Sequence, residues 1–351
     1  MAGEQGPEIV MTNDLETHGG SSGGSPWRAF FRAPEWGLVA GILVVLGLIF
    51  IFNPSRNFFS AYTQQALLHQ VALFGVLSIG VAVVIITGGI DLSVGSVVAL
   101  ASIVSAKLLT EWLRGGEPDL TTPPSNWVIG VGIGLTLLMG LLIGLAHAFM
   151  ITRLGLPPFI ATLATLAGLR SLAMLLCKNR SINIPYDGYR VMGKDPRWTL
   201  AIFVLVAIVT SIIMGKTVLG RHLYAMGGNE MAARLSGLPT RRLKAFAYGL
   251  SGMLAALGGV LFTGRSGQAD PRLGVAYELY AITAAVVGGC SLSGGVGSIR
   301  GTVLGLFLIQ IVIKGTAIVV ENVDPSQIEG LVLGTVVILA VAFNQRFRGR
   351  A

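Results

Sequence analysis

Few ionisable side chains stand inside apolar sequence: Asp91, Arg170 and Lys314, with His147 alone in mid-run. An unpaired charge in such surroundings is expensive, so each is either functional or satisfied by its neighbours. At Asp91 the local order is Gly88-Gly89, then the acid with Ser93 close behind, then a long apolar run. That order suits a helix break followed by a cap, in which the carboxylate accepts from the Ser93 or Val94 amide. The competing reading, less favoured by that order, is a proton or substrate site. A second break, Gly288-Gly289 through Gly295, parallels the first, with Ser291 or Ser293 as the expected cap. Arg170 and Lys314 suit either a polar path for a hydroxylated solute or bonds to backbone carbonyls inside a bundle. His147 reads as a helix-contact residue. Gln64, Gln65 and Gln70 supply amides at the outer end of the second apolar run, for a neighbouring helix or a ligand.

Covalent chemistry finds no support. Gly215-Lys216-Thr217 ends like a phosphate loop, but the first glycine of that motif falls on Thr210 and the residues between are apolar. Gly130, Gly132 and Gly134 follow no strand, which excludes a dinucleotide fingerprint. No H-E-x-x-H, paired Cys-x-x-Cys or G-x-S-x-G occurs. Cys177 and Cys290 are far apart and make neither a disulfide framework nor a metal site.

The elements that must hold these residues are membrane helices. Hydrophobic residues make up 53% of the 351 and charged ones 12%, about half of what a soluble domain carries. The 48 glycines suit close helix approach. A net charge of +8 reads here as positive-inside bias and attraction to anionic lipid, not as nucleic-acid binding.

Residues 1–35 read as a disordered polar tail without a cleavable signal peptide. Residues 36–345 form the transmembrane domain and 346–351 a basic tail. The expected fold class is an all-α polytopic bundle of about ten spans: 36–52, 66–86, 97–109, 127–152, 157–177, 198–214, 245–263, 279–290, 301–320 and 328–343. Spans two and eight are the candidates for re-entrant segments. Arg28 and Arg32 place the N-terminus in the cytoplasm, and Arg346, Arg348 and Arg350 place the C-terminus there too. By this assignment 13 of the 25 Lys and Arg are inside and 9 outside. The stretches 110–126, 178–197 and GRSGQADPRLGVAYE then lie outside as loops.

The basic interval 215–244 holds six of the 25 Lys and Arg and a short helix with legible ends. Asn229 caps it, Glu230 sits in its first turn, and Gly237 with Pro239 stops it. Its apolar edge is Met231, Leu235 and Leu238. Two turns do not stand alone in water, so a partner or the membrane must pack on it.

Four segments carry a resemblance: VIITGGIDLSVGSVVAL (84–100), PPFIATLATLAGLR (157–170), TVLGRHLYAMGGNEMAARLSGLPTRRLK (217–244) and YELYAITAAVVGGCSLSGGVGSIRGTVLG (277–305). With them the chain resembles the permease subunits of bacterial ABC importers for monosaccharides, of the ribose, xylose and galactose type. The resemblance implies a multi-pass protein of the bacterial inner membrane that moves sugar by alternating access. The coupling helix that docks in a cytoplasmic ATPase would comprise Gly227, Gly228, Asn229, Glu230, Ala232, Ala233, Arg234, Leu235 and Gly237. The wider importer pattern is Glu-Ala-Ala, three residues, then Gly. Here Met231 separates Glu230 from the alanine pair. Gly88, Gly89, Asp91, Ser93, Arg170, Gly288 and Gly289 would mark helix breaks and the translocation path. Further implied partners are an extracytoplasmic sugar-binding protein, docked on 178–197, and a second permease copy, identical or related. ATP and Mg would sit on the ATPase, and this chain would bind no cofactor. The competing class is a secondary transporter driven by an ion gradient, with Asp91 as its coupling carboxylate.

Overall fold

In hydrocarbon every backbone donor and acceptor must be satisfied within its own segment, so apolar runs of this length fold as helices. The computed structural model describes residues 35–116, 119–320, 330–335 and 338. Each of the first nine apolar runs is a helix. They are α1 (Glu35–Phe52), α2 (Ala61–Ile86), α3 (Val94–Thr110), α4 (Asn126–Arg153), α5 (Pro158–Leu176), α7 (Pro196–Lys216), α10 (Thr240–Ser266), α11 (Tyr277–Val287) and α12 (Ile299–Val319). Between them lie α6 (Asp187–Lys194), α8 (Val218–Gly228), α9 (Glu230–Leu235) and two short strands, β1 (Ile182–Asn183) and β2 (Gln268–Ala269). Among the described residues, seven helices are long and apolar enough to cross a membrane. The tenth run falls mostly outside the described residues, as do the tails 1–34 and 346–351.

The helices sort into a centre and a periphery. In the apolar window of α2, 94% of residues are buried, against 17% in α5, so α2 is surrounded by protein while α5 presents most of its face outward. Glycines set the closest crossing. A Cβ at Gly252 on α10 would lie 2.2 Å from the Gly140 carbonyl on α4, and one at Gly144 2.0 Å from the Tyr248 carbonyl. Small residues of this kind let transmembrane backbones approach where larger side chains would hold them apart.

Of the two suspected re-entrant runs, the second is an uninterrupted helix of 26 residues, about 39 Å long and ample for a bilayer core of about 30 Å. The eighth run, α11, has 11 residues, about 16 Å, which does not cross that core. The segment leading into it penetrates the bundle. Gly274 lies against Gly95 at the start of α3, where a Cβ would meet the Gly274 carbonyl at 2.1 Å. Arg170, deep within α5, donates to the carbonyls of Pro271 (3.2 Å) and Leu273 (2.5 Å). The stretch expected as a peripheral outside loop therefore enters the bundle at 271–278. Inside the bundle its carbonyls are answered by an arginine from another helix, a partner that lies 101 and 103 residues away in the chain.

Candidate functional site

The short helices between α7 and α10 are built from caps. Thr217 caps α8 by accepting from the Gly220 amide at 3.2 Å. Asn229 caps α9 by accepting from the Ala232 amide at 2.9 Å. Gly237, at φ +81, ends α9, as its amide donates to Arg234 and that of Leu238 to Ala233. A β-carbon is strained in that conformation, which is why glycine stands there. Glu230 receives Arg234 at 3.2 Å and Lys244 at 2.7 Å, tying α9 to the second turn of α10. Ala233 faces the protein, while Met231 is 64% and Leu235 82% exposed. Leu238 is half-buried against the core, so the outward apolar edge is Met231 and Leu235.

This element meets both helix breaks. The Gly295 amide donates to the Ile86 carbonyl at 2.9 Å. A Cβ at Gly227 would lie 1.9 Å from that same carbonyl and 2.7 Å from the Gly295 nitrogen. A Cβ at Gly294 would meet the Gly227 carbonyl at 2.5 Å and Gly88 at 2.8 Å. Tyr224 of α8 also donates to the Gly297 carbonyl at 2.9 Å. Three glycine-rich stretches distant in sequence thus touch backbone to backbone at one end of the bundle. Each glycine was visible in the sequence; their meeting was not.

At the first break Asp91 is 1% exposed. Its Oδ1 accepts from the Ser93 amide (3.0 Å) and hydroxyl (2.6 Å), and its Oδ2 from Ser251 of α10 (2.7 Å). The carboxylate therefore holds the start of α3 and fastens it to α10. Gly88 takes φ +77, and a Cβ at Gly89 would lie 2.4 Å from the Tyr248 hydroxyl. At the second break Gly288 packs on α12, where a Cβ would meet Gly301 at 2.4 Å, and Gly289 takes φ +90 in open space. The expected caps Ser291 and Ser293 instead bond to each other at 2.8 Å, and Ser298 caps α12 by accepting from Gly301 at 2.9 Å. The break runs longer than Gly-Gly suggests, so the cap falls at its far end.

Polar groups continue from Asp91 into the bundle. The His147 ring meets Thr165 at 2.7 Å. Glu278 opens α11 with its Oε2 buried where a Cβ on Gly95 would lie 2.4 Å away. It lies within electrostatic reach of Arg170 and Asp91. Sequence reading placed Glu278 in a loop, since nothing local marks it as interior. Lys314 is half-buried on α12.

The opposite end is a folded cap. Strands β1 and β2 pair antiparallel, Ile182 with Ala269 and Asn183 with Gln268. The Tyr186 hydroxyl donates to the Asp119 carbonyl, and the fully buried Tyr189 meets Ser105 at 2.9 Å. His69 of α2 bonds the Gly193 carbonyl at 2.8 Å, and Gln70 accepts from Arg265 at 2.6 Å. The stretches 110–126, 178–197 and 264–270, all assigned to one side of the membrane, do gather at one end.

The described residues form an all-α polytopic bundle with two glycine breaks, a half-length helix and an exposed apolar helix edge at one end. The chain belongs to the family described as the branched-chain amino acid transport system / permease component, which matches residues 65–341. It is 34% identical over 316 residues to the ribose import permease protein RbsC of Bacillus subtilis, covering 87% of this chain and 91% of that one. Over 323 residues it is 32% identical to the galactose/methyl galactoside import permease protein MglC of Salmonella typhimurium, covering 88% and 94%. Similarity to the fructose import permease protein FrcC of Rhizobium meliloti is 32% over 320 residues, covering 88% and 84%. No solved structure matches the chain.

Proposed function

We infer that this chain is the membrane permease of an ATP-binding-cassette importer for a monosaccharide, a multi-pass protein of the bacterial inner membrane with no enzymatic activity of its own. Relatives named for ribose, galactose and fructose import support sugar as the cargo, with a ribose-like pentose as the first candidate. In this reading residues 215–244 face the cytoplasm and α9 seats its exposed Met231 and Leu235 in a groove of a separate ATPase, which carries the ATP and Mg. Burying such a side chain contributes on the order of 1.5–3 kcal/mol, enough for two apolar anchors to dominate the contact. A second permease copy completes the path, and an extracytoplasmic sugar-binding protein docks on the β1–α6 cap.

The observation that carries the reading is the backbone contact of Gly227 with Ile86 and Gly295. A pull on α8 and α9 reaches both breaks with no intervening side chain. Closure of two ATPases would draw the paired α9 helices together and turn the breaks, switching the spans between inward- and outward-open states by rigid-body motion. Asp91 is already occupied by three donors, which suits a structural carboxylate better than an ion-coupling one.

Leu235→Asp is expected to abolish co-purification with the ATPase while the chain still inserts and unfolds at its usual temperature. Retention of the ATPase would overturn the assignment of α9. Uptake of a panel of labelled monosaccharides, lost when the ATPase's catalytic glutamate is removed, names the sugar.

A further inference from the structure

Helices α7 and α12 diverge on the outer surface and leave a trough of about 630 Å³. Its walls are apolar, with Phe203, Ala207 and Ile208 on one side and Val303 and Phe307 on the other. At one end Ser211, Lys216 and Arg300 line both this trough and an adjoining hollow of about 280 Å³, which adds Tyr224 and Ser298. Phe203 to Lys216 spans about 20 Å of helix and Arg300 to Phe307 about 10 Å. These lengths bracket one leaflet, half of the roughly 30 Å core. Lys216 and Arg300 are both exposed, and among the described residues neither joins an ion pair. Both stand at the end of the bundle that carries α8 and α9.

We propose that this trough is a binding site for an anionic phospholipid of the cytoplasmic leaflet, with an acyl chain between α7 and α12 and the phosphate held by Lys216 and Arg300. The length of the apolar wall fits a lipid tail. The unanswered cations at its polar end fit an anionic head, the arrangement by which basic hollows between transmembrane helices hold acidic lipids. A soluble anion would use the mouth and leave the apolar wall empty; a zwitterionic lipid would fill the wall and gain little from the two cations. The site also lies beside the α7–α8 junction at Thr217, so an ordered head group there would brace the base of the docking element. The choice of leaflet rests on the cytoplasmic placement of 215–244; the existence of the site does not.

The test is native mass spectrometry of the purified full chain, stripped of lipid and offered equal phosphatidylglycerol and phosphatidylethanolamine. Two surface cations supply a preference of roughly 30-fold for the anionic lipid. Lys216→Gln with Arg300→Gln should bring that preference close to unity, and Lys216→Arg with Arg300→Lys should keep it. Ala207→Trp, which fills the trough, should expel the lipid even though both cations remain. Equal retention of the two lipids, or a preference that survives removal of both charges, overturns the proposal. So does a disulfide-linked dimer formed through Ile208→Cys, since it would put a second copy in the trough; Cys177 and Cys290 are both buried. The measurement needs no ATPase, so failure of the α9 assignment and failure of the lipid site are read separately.

Discussion

At the end that carries α8 and α9, Gly88, Gly227 and Gly295 lay backbone on backbone, and the Tyr224 side chain joins α8 to the second break by a hydrogen bond. At the cap end, Tyr186, Tyr189, His69 and Arg114 hold the loops together through side-chain bonds. Both ends tie distant stretches of chain to the helical core, but the materials behave differently. Side chains locked in buried hydrogen bonds specify one arrangement, because breaking any of them leaves an unsatisfied polar group. Glycine surfaces in van der Waals contact carry few such penalties, and one can rotate or slide on another. If α9 docks a partner as proposed, the α8–α9 end would transmit displacement and the cap end, for all its own close glycine contact at Gly193, would resist it.

The sharpest way to break this contrast is to place the same clash at each end. In Gly227→Ala the new methyl would lie 1.9 Å from the Ile86 carbonyl, and in Gly193→Ala 2.0 Å from the Leu261 carbonyl. Overpacking of this kind costs about 1–3 kcal/mol or more, so thermal unfolding should show comparable losses. The separating readout is the ratio of sugar imported to ATP hydrolysed. Gly227→Ala is expected to lower that ratio several-fold in protein that still holds its ATPase. An unchanged ratio would reduce the glycine contact to ordinary packing.

A smaller effect is expected from Tyr189→Phe. The lost hydroxyl bonds Ser105 at 2.9 Å and reaches the Val260 carbonyl at 3.4 Å. Ser105 keeps its bond to the Ser102 carbonyl at 2.9 Å, so no donor is stranded. The loss should be about 1 kcal/mol, read as a lower unfolding temperature in detergent. A loss of several kcal/mol would mean that the cap depends on this one hydroxyl far more than its geometry indicates.

What was legible in the sequence follows the range of each interaction. The Asn229 cap, the Gly237 stop and the break at Gly88-Gly89 depend on neighbours within a few residues, and the structure has them where the residue types put them. The first nine apolar runs were legible because hydropathy is local. The contact of Gly227 with Ile86 and Gly295 was not, since it joins three stretches that share no periodicity. Glu278 was misplaced for the same reason: its Gly- and Pro-rich approach looks like surface until Arg170 is found answering its carbonyls. Ser298, the true cap of α12, lies beyond the serines nearest the Gly-Gly pair, where the length of the loop decides and composition does not. Nothing local in the sequence pairs Lys216 with Arg300, and only the divergence of their helices makes a trough between them.

The mildest perturbation of the comparison is a proton. Asp119 lies in the cap, accepting at Oδ1 from the amides of Thr121 (2.8 Å) and Thr122 (3.1 Å) and from the Thr121 hydroxyl (2.9 Å). Its other carboxylate oxygen meets Arg114. The amides of Thr122 and Thr121, with the Thr121 hydroxyl, hold this carboxyl well below the usual carboxylate range. Burial pushes the Tyr186 phenol up, so it stays a donor to the Asp119 carbonyl through neutral pH. A depressed folded value means that the contribution is fully present above the ordinary carboxylate range, near pH 4, and is lost as pH falls through it towards the folded value. Amide protection at 119–122 and 182–186, taken relative to the intrinsic exchange rate at each pH, should therefore fall in acid, while protection in α8 and α9 should not follow this carboxyl. Asp119→Asn removes the titrating group but keeps an acceptor, and should flatten the acid dependence at the cap. If protection at the cap still falls in acid in that variant, the acid-sensitive bond lies elsewhere and Asp119 is no more than a turn former.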